Sequence, residues 1–329
     1  MVLVNHPKIK FALNSVKEAS LLVKKIQQEL IIDALVKSDK SPVTVADFAS
    51  QAIIGYRLHG SFPDAILVGE EDSTALKTPS EEKKLAQVTS YIQSLIPEAN
   101  SSDVCDWIDI GSGDVCEEYW TVDPIDGTKG FLRGDQYVVA LAFVKNGKVE
   151  LGVLGCPNLS NATNPDSNSE GSLVFALRDE GTWFLPMMNL DHEPIRLHTS
   201  KCQNGSKAQI LCSFENAHTD SDQIQEFIAV LGSNSDPIRM DSQAKYALMA
   251  AGKGEILLRL LSPKNLGYKE KIWDQAAGSI IIEEAGGKIT DLEGNPLDFS
   301  TGRLMTKNTG VLATNQLLHE ISLKTLENL

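Results

Sequence analysis

The segment 121-TVDPIDGTKGFLRGDQ-136 decides how the rest of the chain is read. Two aspartates, Asp123 and Asp126, stand three apart around Pro124, after an apolar lead-in and just before Gly127 and Thr128. Pro124 fixes one φ angle, so the step can aim both carboxylates to the same side. Gly127 lacks a Cβ and lets the backbone approach a ligand closely. If a helix begins there, the Gly127 and Thr128 N–H groups point at an anion. Taken alone, the segment supports two readings equally: a capped acidic turn, or oxygen ligands for a hard cation beside a phosphate.

Other acids share this context. Glu70 follows the apolar run ILVG, and Asp274 follows Lys271-Ile272-Trp273. The ends of apolar runs are where open α/β sheets collect ligands. Each acid also has a plainer reading. Glu70-Glu71-Asp72 can be a solvated acidic turn, and Asp274 a helix cap beneath a buried indole. Asp47 can be a first-turn acid answering Thr44 in a capping box.

The surroundings narrow the choice. The chain has 329 residues, 42% hydrophobic and 22% charged, with 30 basic and 44 acidic side chains and a net charge of −14. That balance argues against a nucleic-acid polymer, whose binding rests on clustered Lys and Arg. It leaves room for a small phosphate ester whose charge is met locally. No segment has the apolar length of a membrane span or the layout of a secretion signal. Five cysteines without a C-x-x-C pair read as reduced thiols, which fits a cytoplasmic location.

Apolar spacing at Val16, Ala19, Val23, Ile26 and Leu30 predicts a helix over about 11–36, with SPVT (41–44) as a break and a second helix over 45–58. AILV (65–68) and WTVD (120–123) read as strands. YVVALAFV and VELGVLG flank Asn146-Gly147 as a hairpin, and SLVFAL and GTWFL form another. Residues 158–171 read as a polar, mobile loop. Past residue 200 strand and helix patterns alternate: QILCSF, DQIQEFIAVL, PIRM, QAKYALMAAG, EILLRL, WDQAAGSIIIEEAGG and a C-terminal helix. The expectation is an α+β part over 1–200 carrying most of the acids, and an α/β part over 201–329 carrying Asp274.

VGEED, DPIDGTKGF and WDQAAG, in this order, resemble the lithium-sensitive, magnesium-dependent phosphomonoesterases that include inositol monophosphatases and fructose-1,6-bisphosphatases. The resemblance implies a layered α-β-α-β-α sandwich. Nearly the whole chain is more closely similar to the 3′(2′),5′-bisphosphate nucleotidases, through SPVTVADFASQA (41–52), VGEED (68–72), DPIDGTKGFLRGDQY (123–137), GCPNL (155–159), MDSQAKYALMA (240–250), LRL (258–260) and YKEKIWDQAAG (268–278). Such enzymes remove the 3′-phosphate of adenosine 3′,5′-bisphosphate. Many also act on 3′-phosphoadenosine 5′-phosphosulfate, and some on inositol 1,4-bisphosphate.

The resemblance implies two or three Mg²⁺ ions held by Glu70, Asp123, the Ile125 carbonyl, Asp126 and Asp274. It implies Asp47 and Thr128 at the attacking water. Substrate contacts fall to Gly127, Thr128, His218, Ser242, Lys245, Arg259 and Asp274. The residue chemistry agrees at two places. Arg259 inside LLRLL calls for an anionic partner, and a second substrate phosphate needs cations such as Lys245 and Arg259. Ser242 and Lys245, three apart, would share a helix face. Without the resemblance, Lys245 reads as a solvated lysine, while for Arg259 an outward-facing strand residue is only the plainer alternative.

Two places depart from the family. Where many relatives have a Gly-rich, Arg-containing stretch, this chain has the acidic 110-IGSGDVCEEYW-120, and Ala217-His218 stands for Gly-His. A monomer is the expected state. An inositol-phosphate phosphatase and a non-catalytic Mg²⁺ and nucleotide sensor are the competing functions; Lys245 and Arg259 count against the first, and the presence of Asp47 and Thr128 against the second.

Overall fold

The structure, a computed structural model, describes residues 6–37, 41–214, 221–261 and 267–329. Two long helices open it, α1 (Pro7–Lys37) and α2 (Ser41–Ser61). SPVT is the first turn of α2 rather than a connector, because Pro42 near a helix start removes only an N–H that has no helical acceptor. Then come β1 (Ile66–Gly69), α3 (Glu82–Gln93), α4 (Ser101–Asp109), β2 (Glu118–Asp126) and the short α5 (Thr128–Arg133). The hairpin of β3 (Val138–Lys145) and β4 (Lys148–Cys156) turns at Asn146 and Gly147, whose φ values of 50° and 72° suit the tight left-handed turn that Asn-Gly favours.

Residues 158–171 are not a bare loop. They carry the paired β5 (Leu159–Ser160) and β6 (Asn164–Pro165), and buried Asn158 donates to the Asp135 carbonyl at 2.6 Å. Strands β7 (Ser172–Leu177), β8 (Gly181–Pro186) and β9 (Ile195–Leu197) complete a seven-stranded sheet, ordered β1-β2-β3-β4-β7-β8-β9. Only β1 and β2 run parallel in it.

The remainder supplies β10 (Ile210–Cys212), α6 (Ser221–Leu231), β11 (Ile238–Arg239), α7 (Ala244–Ala250), β12 (Ile256–Arg259), α8 (Ala276–Glu284), β13 (Lys288–Thr290), β14 (Val311–Thr314) and α9 (His319–Leu326). The second sheet is ordered β11-β10-β12-β14-β13. Strands β13 and β14 escape the sequence pattern because they are short, and β14 runs antiparallel to β12, so this sheet is mixed.

Strand alternation builds the layers. Trp120, Val122, Val139, Leu141, Phe143, Val153 and Phe175 face α1 and α2 in one apolar cluster. Their neighbours Tyr119, Val138, Ala140, Ala142, Val144, Leu154 and Val174 face α7, α8 and the inner side of the second sheet in another. A third cluster joins the outer side of the second sheet to α6 and α9. Both faces of both sheets are therefore covered, which explains uninterrupted apolar runs such as YVVALAFV. The result is an α-β-α-β-α sandwich. All five cysteines are free thiols. Among the described residues no helix is long and apolar enough to cross a membrane.

Two outcomes test this packing. Trp120 is buried against Phe11 and Phe143, with ring centroids 5.1 Å away in each case. Trp120→Ala should lower unfolding stability by about 3–5 kcal/mol in a denaturant titration. His319 is buried between the hydroxyls of Thr290 and Thr314, at 3.1 and 3.0 Å. Burial pulls its pKa from 6.5 down to about 4, so the unfolded chain takes up the proton first. Its contribution is full above pH 6.5 and is lost as pH falls toward 4, and His319→Gln should flatten stability over that window.

Candidate active site

The β1–β2 register fixes the first half of the site. Gly69 pairs with Val122, so Glu70, one residue past β1, comes beside Asp123. Strand β2 continues through D-P-I-D instead of turning there. Its register with β3 slips between Asp123 and Asp126, a bulge at which Pro124 has no ladder N–H to lose. The Asp123 carboxylate accepts from the Ile125 N–H at 3.1 Å, and Ser50 of α2 donates to the Pro124 carbonyl at 2.9 Å. The bulged step is thus held from both sides.

Gly127 then adopts φ 90°, and a Cβ there would lie 2.7 Å from the Ser242 Cβ. The glycine serves the close approach of two chain segments as well as the turn. Helix α2 meets the Glu70 turn through Gln51, which donates to the Glu71 carbonyl at 2.6 Å and accepts from the Glu71 N–H at 3.0 Å. Asp47 lies one helical turn earlier on the same face. It is well inside α2, buried at 7% exposure, and so is not a first-turn capping acid.

The second half comes from the other sheet. Ser242 is not on α7, which starts at Ala244; it sits before the helix at φ 66°. Ser242 and Lys245 therefore do not share a helix face. Instead the Lys245 ammonium turns back to donate to the carbonyls of Met240 and Ser242, at 2.9 and 2.8 Å. Lys245 is buried at 5% exposure, not a solvated lysine. Burial lowers its pKa to about 8, with Asp126 opposing the fall. Asp274 is not the cap of α8, a position taken by Gln275, and is left to face the cavity below the buried Trp273.

A cavity of about 310 Å³ gathers Glu70, Asp123, Ile125, Asp126, Gly127 and Thr128 from the first sheet's side. Ser242, Lys245, Arg259 and Asp274 line it from the second. Asp47 lies behind it, near Glu70 and Glu71. The Thr128 hydroxyl donates to the Ile125 carbonyl at 3.5 Å and, among the described residues, not to Asp47. His218 lies outside the described residues.

Acid crowding dominates the electrostatics. Asp123 is raised well above the ordinary carboxylate range, first by burial and then by Glu70, Asp126, Asp274 and Asp47. Asp274 is raised by burial, against the pull of Arg259. Asp126 is raised by burial, opposed by Lys245 and Arg259. Asp47 is raised by burial and by Glu71, and Glu71 is itself pushed up to about 7 by burial and Glu70. Among the described residues no group of three or more His, Cys, Asp or Glu side chains is placed to hold a metal ion. The acids instead line an open wall.

Several residues of the site escaped the sequence reading. The Gln243 backbone N–H donates to Asp126 at 2.5 Å, while its side chain donates to the Trp273 carbonyl at 3.0 Å and accepts from the Gly278 N–H at 2.9 Å. One glutamine thus ties β2, the Trp273 turn and α8 together. Arg259 is no outward-facing residue. It pairs with buried Glu270 at 2.7 Å and reaches Asp274 at 3.8 Å. The altered 110–120 stretch is bridged to β1, and Arg303 donates to the carbonyls of Gly69 and Gly113 while lying 5.0 Å from the Trp273 ring. An arginine from the C-terminal part of the chain thereby packs against the end of β1 and this segment.

This arrangement sets carboxylates from neighbouring strands β1 and β2 and from the turn before α8 beside Lys245 and Arg259 in one cavity. The fold matches that of inositol monophosphatase II from Staphylococcus aureus, with TM-score 0.64 over 100% of this chain and 94% of that one, at 21% identity. Residues 5–329 match the inositol monophosphatase family, and the chain belongs to that family. It is 39% identical over 327 residues to a 3′(2′),5′-bisphosphate nucleotidase of Schizosaccharomyces pombe, covering 94% of this chain and 92% of that protein. It is likewise 39% identical over 343 residues to 3′(2′),5′-bisphosphate nucleotidase 2 of Candida albicans, covering 94% of each.

Gly127→Ala tests the close approach at the heart of the site. The added methyl meets Ser242 in a backbone conformation that disfavours it. A loss of about 1–3 kcal/mol in a denaturant titration is expected, together with reduced activity as the Ser242 turn is pushed away.

Proposed function

We propose that the chain is a magnesium-dependent 3′(2′),5′-bisphosphate nucleotidase, converting adenosine 3′,5′-bisphosphate to adenosine 5′-phosphate and phosphate. 3′-Phosphoadenosine 5′-phosphosulfate is a further substrate in this reading. The observation that carries it is one cavity holding both a wall of acids and two anchored cations, Lys245 and Arg259. A monophosphate needs only the first of these. A bisphosphate uses both.

The donor set fits magnesium. It is all oxygen: Glu70, Asp123, Asp126, Asp274 and the Ile125 carbonyl. Mg²⁺ keeps several waters and takes one or two carboxylates plus substrate phosphate, so an open acid wall suits it better than a closed cage. The raised pKa values of Asp123, Asp126 and Asp274 mark acids that resist ionising together unless a cation joins them. When bound, Mg²⁺ neutralises the scissile phosphate and makes a water acidic enough to attack.

The chain's own groups do the rest. Thr128 exposes its hydroxyl beside the cavity; turning it from the Ile125 carbonyl toward Asp47 sets an acceptor for the proton of the attacking water. Attack at phosphorus breaks the bond to the ribose 3′-oxygen, which leaves with a proton from solvent. Lys245 and Arg259 hold the phosphate that is kept, and Gly127 and Ser242 let the backbone close on the substrate. Catalysis is then positioning and charge neutralisation, with no covalent intermediate.

A substrate panel tests the assignment. With Mg²⁺, phosphate release from adenosine 3′,5′-bisphosphate should exceed that from inositol monophosphate by orders of magnitude, and lithium should inhibit it. A preference for the inositol ester would overturn the reading. Asp126→Asn should abolish magnesium-dependent turnover while leaving the circular dichroism spectrum unchanged.

A further inference from the structure

Arg259 stands at the end of β12 with its side chain in the cavity, where two anions compete for it. One is Asp274, 3.8 Å from a terminal guanidinium nitrogen. The other is Glu270, which does not line the cavity and is only 3% exposed. Glu270 takes the guanidinium with both oxygens: Arg259 Nε donates to Oε1 at 3.1 Å, and a terminal nitrogen lies 2.7 Å from Oε2. This two-point grip fixes the plane of the guanidinium, which a single contact does not.

Glu270 is itself braced. Gln275 Nε2 donates to its Oε2 at 2.8 Å, and the Tyr246 hydroxyl donates to Gln275 Oε1 at 2.5 Å. Its backbone carbonyl accepts from the Met305 N–H at 2.8 Å. The chain Tyr246–Gln275–Glu270–Arg259 thus runs from α7, through the start of α8, to the end of β12, with each link at hydrogen-bond distance. Such a buried network costs stability unless every member is satisfied, and the polar groups of Glu270 and Gln275 are spent on one another and on Arg259.

We propose that Glu270 is a positioning residue that sets selectivity for a second phosphate. Its grip on Nε and one terminal nitrogen fixes the guanidinium plane beside Asp274 and leaves the remaining N–H groups to the phosphate that is not cleaved. This rests on the bisphosphate reading of the site. Without Glu270, the guanidinium loses its two-point grip and its fixed plane, and is no longer held for the second phosphate.

The test compares adenosine 3′,5′-bisphosphate with adenosine 3′-monophosphate, which lacks the second phosphate, in wild type and Glu270→Gln. The expected result is a KM for the bisphosphate raised about tenfold or more, with kcat changed far less and the monophosphate unaffected. The wild-type preference for the bisphosphate should shrink accordingly. Because Glu270→Gln removes a buried charge, Glu270→Asp is made alongside; it keeps the charge, shortens the reach, and should give an intermediate KM. In an Arg259→Lys background, Glu270→Gln should add little. Equal losses on both substrates, unchanged kinetics, or full additivity with Arg259→Lys would overturn the positioning role. A wild-type enzyme that turns over bisphosphate but shows no preference for it over the monophosphate would instead overturn the reading on which this role rests.

Discussion

Carboxylates crowded around Asp123 are the constraint to which the rest of the structure answers. Asp123 is 3% exposed and feels Glu70, Asp126, Asp274 and Asp47 at once. Like charges brought together away from bulk water resist ionising together, and a fold that collects them does so at the cost of stability. Two contributing segments, the Glu70 turn and residues 124–126, are pinned by side-chain and backbone groups from elsewhere. Gln51 of α2 clasps the Glu70 turn, Ser50 holds the Pro124 carbonyl, and Gln243 meets Asp126. The acids are held in place by neighbours whose polar groups are already satisfied.

The two sheets have divided the work. The first brings parallel β1 and β2 side by side, so that acids one residue past one strand and at the end of the next become neighbours. The second contributes α7 and the end of β12, and with them the cations. Helix α8, late in the chain, lies between the sheets and carries the Trp273–Asp274 turn at its start. The cavity is therefore made by the packing of the layers rather than by any one loop.

Much of this was legible in the residues. The hairpin at Asn146-Gly147, the long first helix, the strands leading to Glu70 and Asp123, and the layered class all follow from period and turn chemistry or from the order of VGEED, DPIDGT and WDQAAG. What was not legible depended on distant contacts. Ser242 looked helical because QAKYALMA is helical, but its left-handed backbone stands before the helix, which starts only at Ala244. D-P-I-D looked like a turn, since only pairing with β3 reveals a bulge. Glu270 sits among Lys269 and Lys271 and reads as surface charge until Arg259, eleven residues back, is seen against it. Gln243 carries no signal at all; its worth lies in three partners spread over the chain.

The proposed function has these acids bind cations from a state in which burial and crowding disfavour their ionisation. Its most direct test is the number of protons released when Mg²⁺ binds, measured by calorimetry near pH 6 in buffers of different ionisation enthalpy. Metal binding to carboxylates of raised pKa must displace their protons. The expected result is net proton release that diminishes as pH rises and the acids ionise on their own. Binding with no proton release at any pH, or no binding at all, would contradict it.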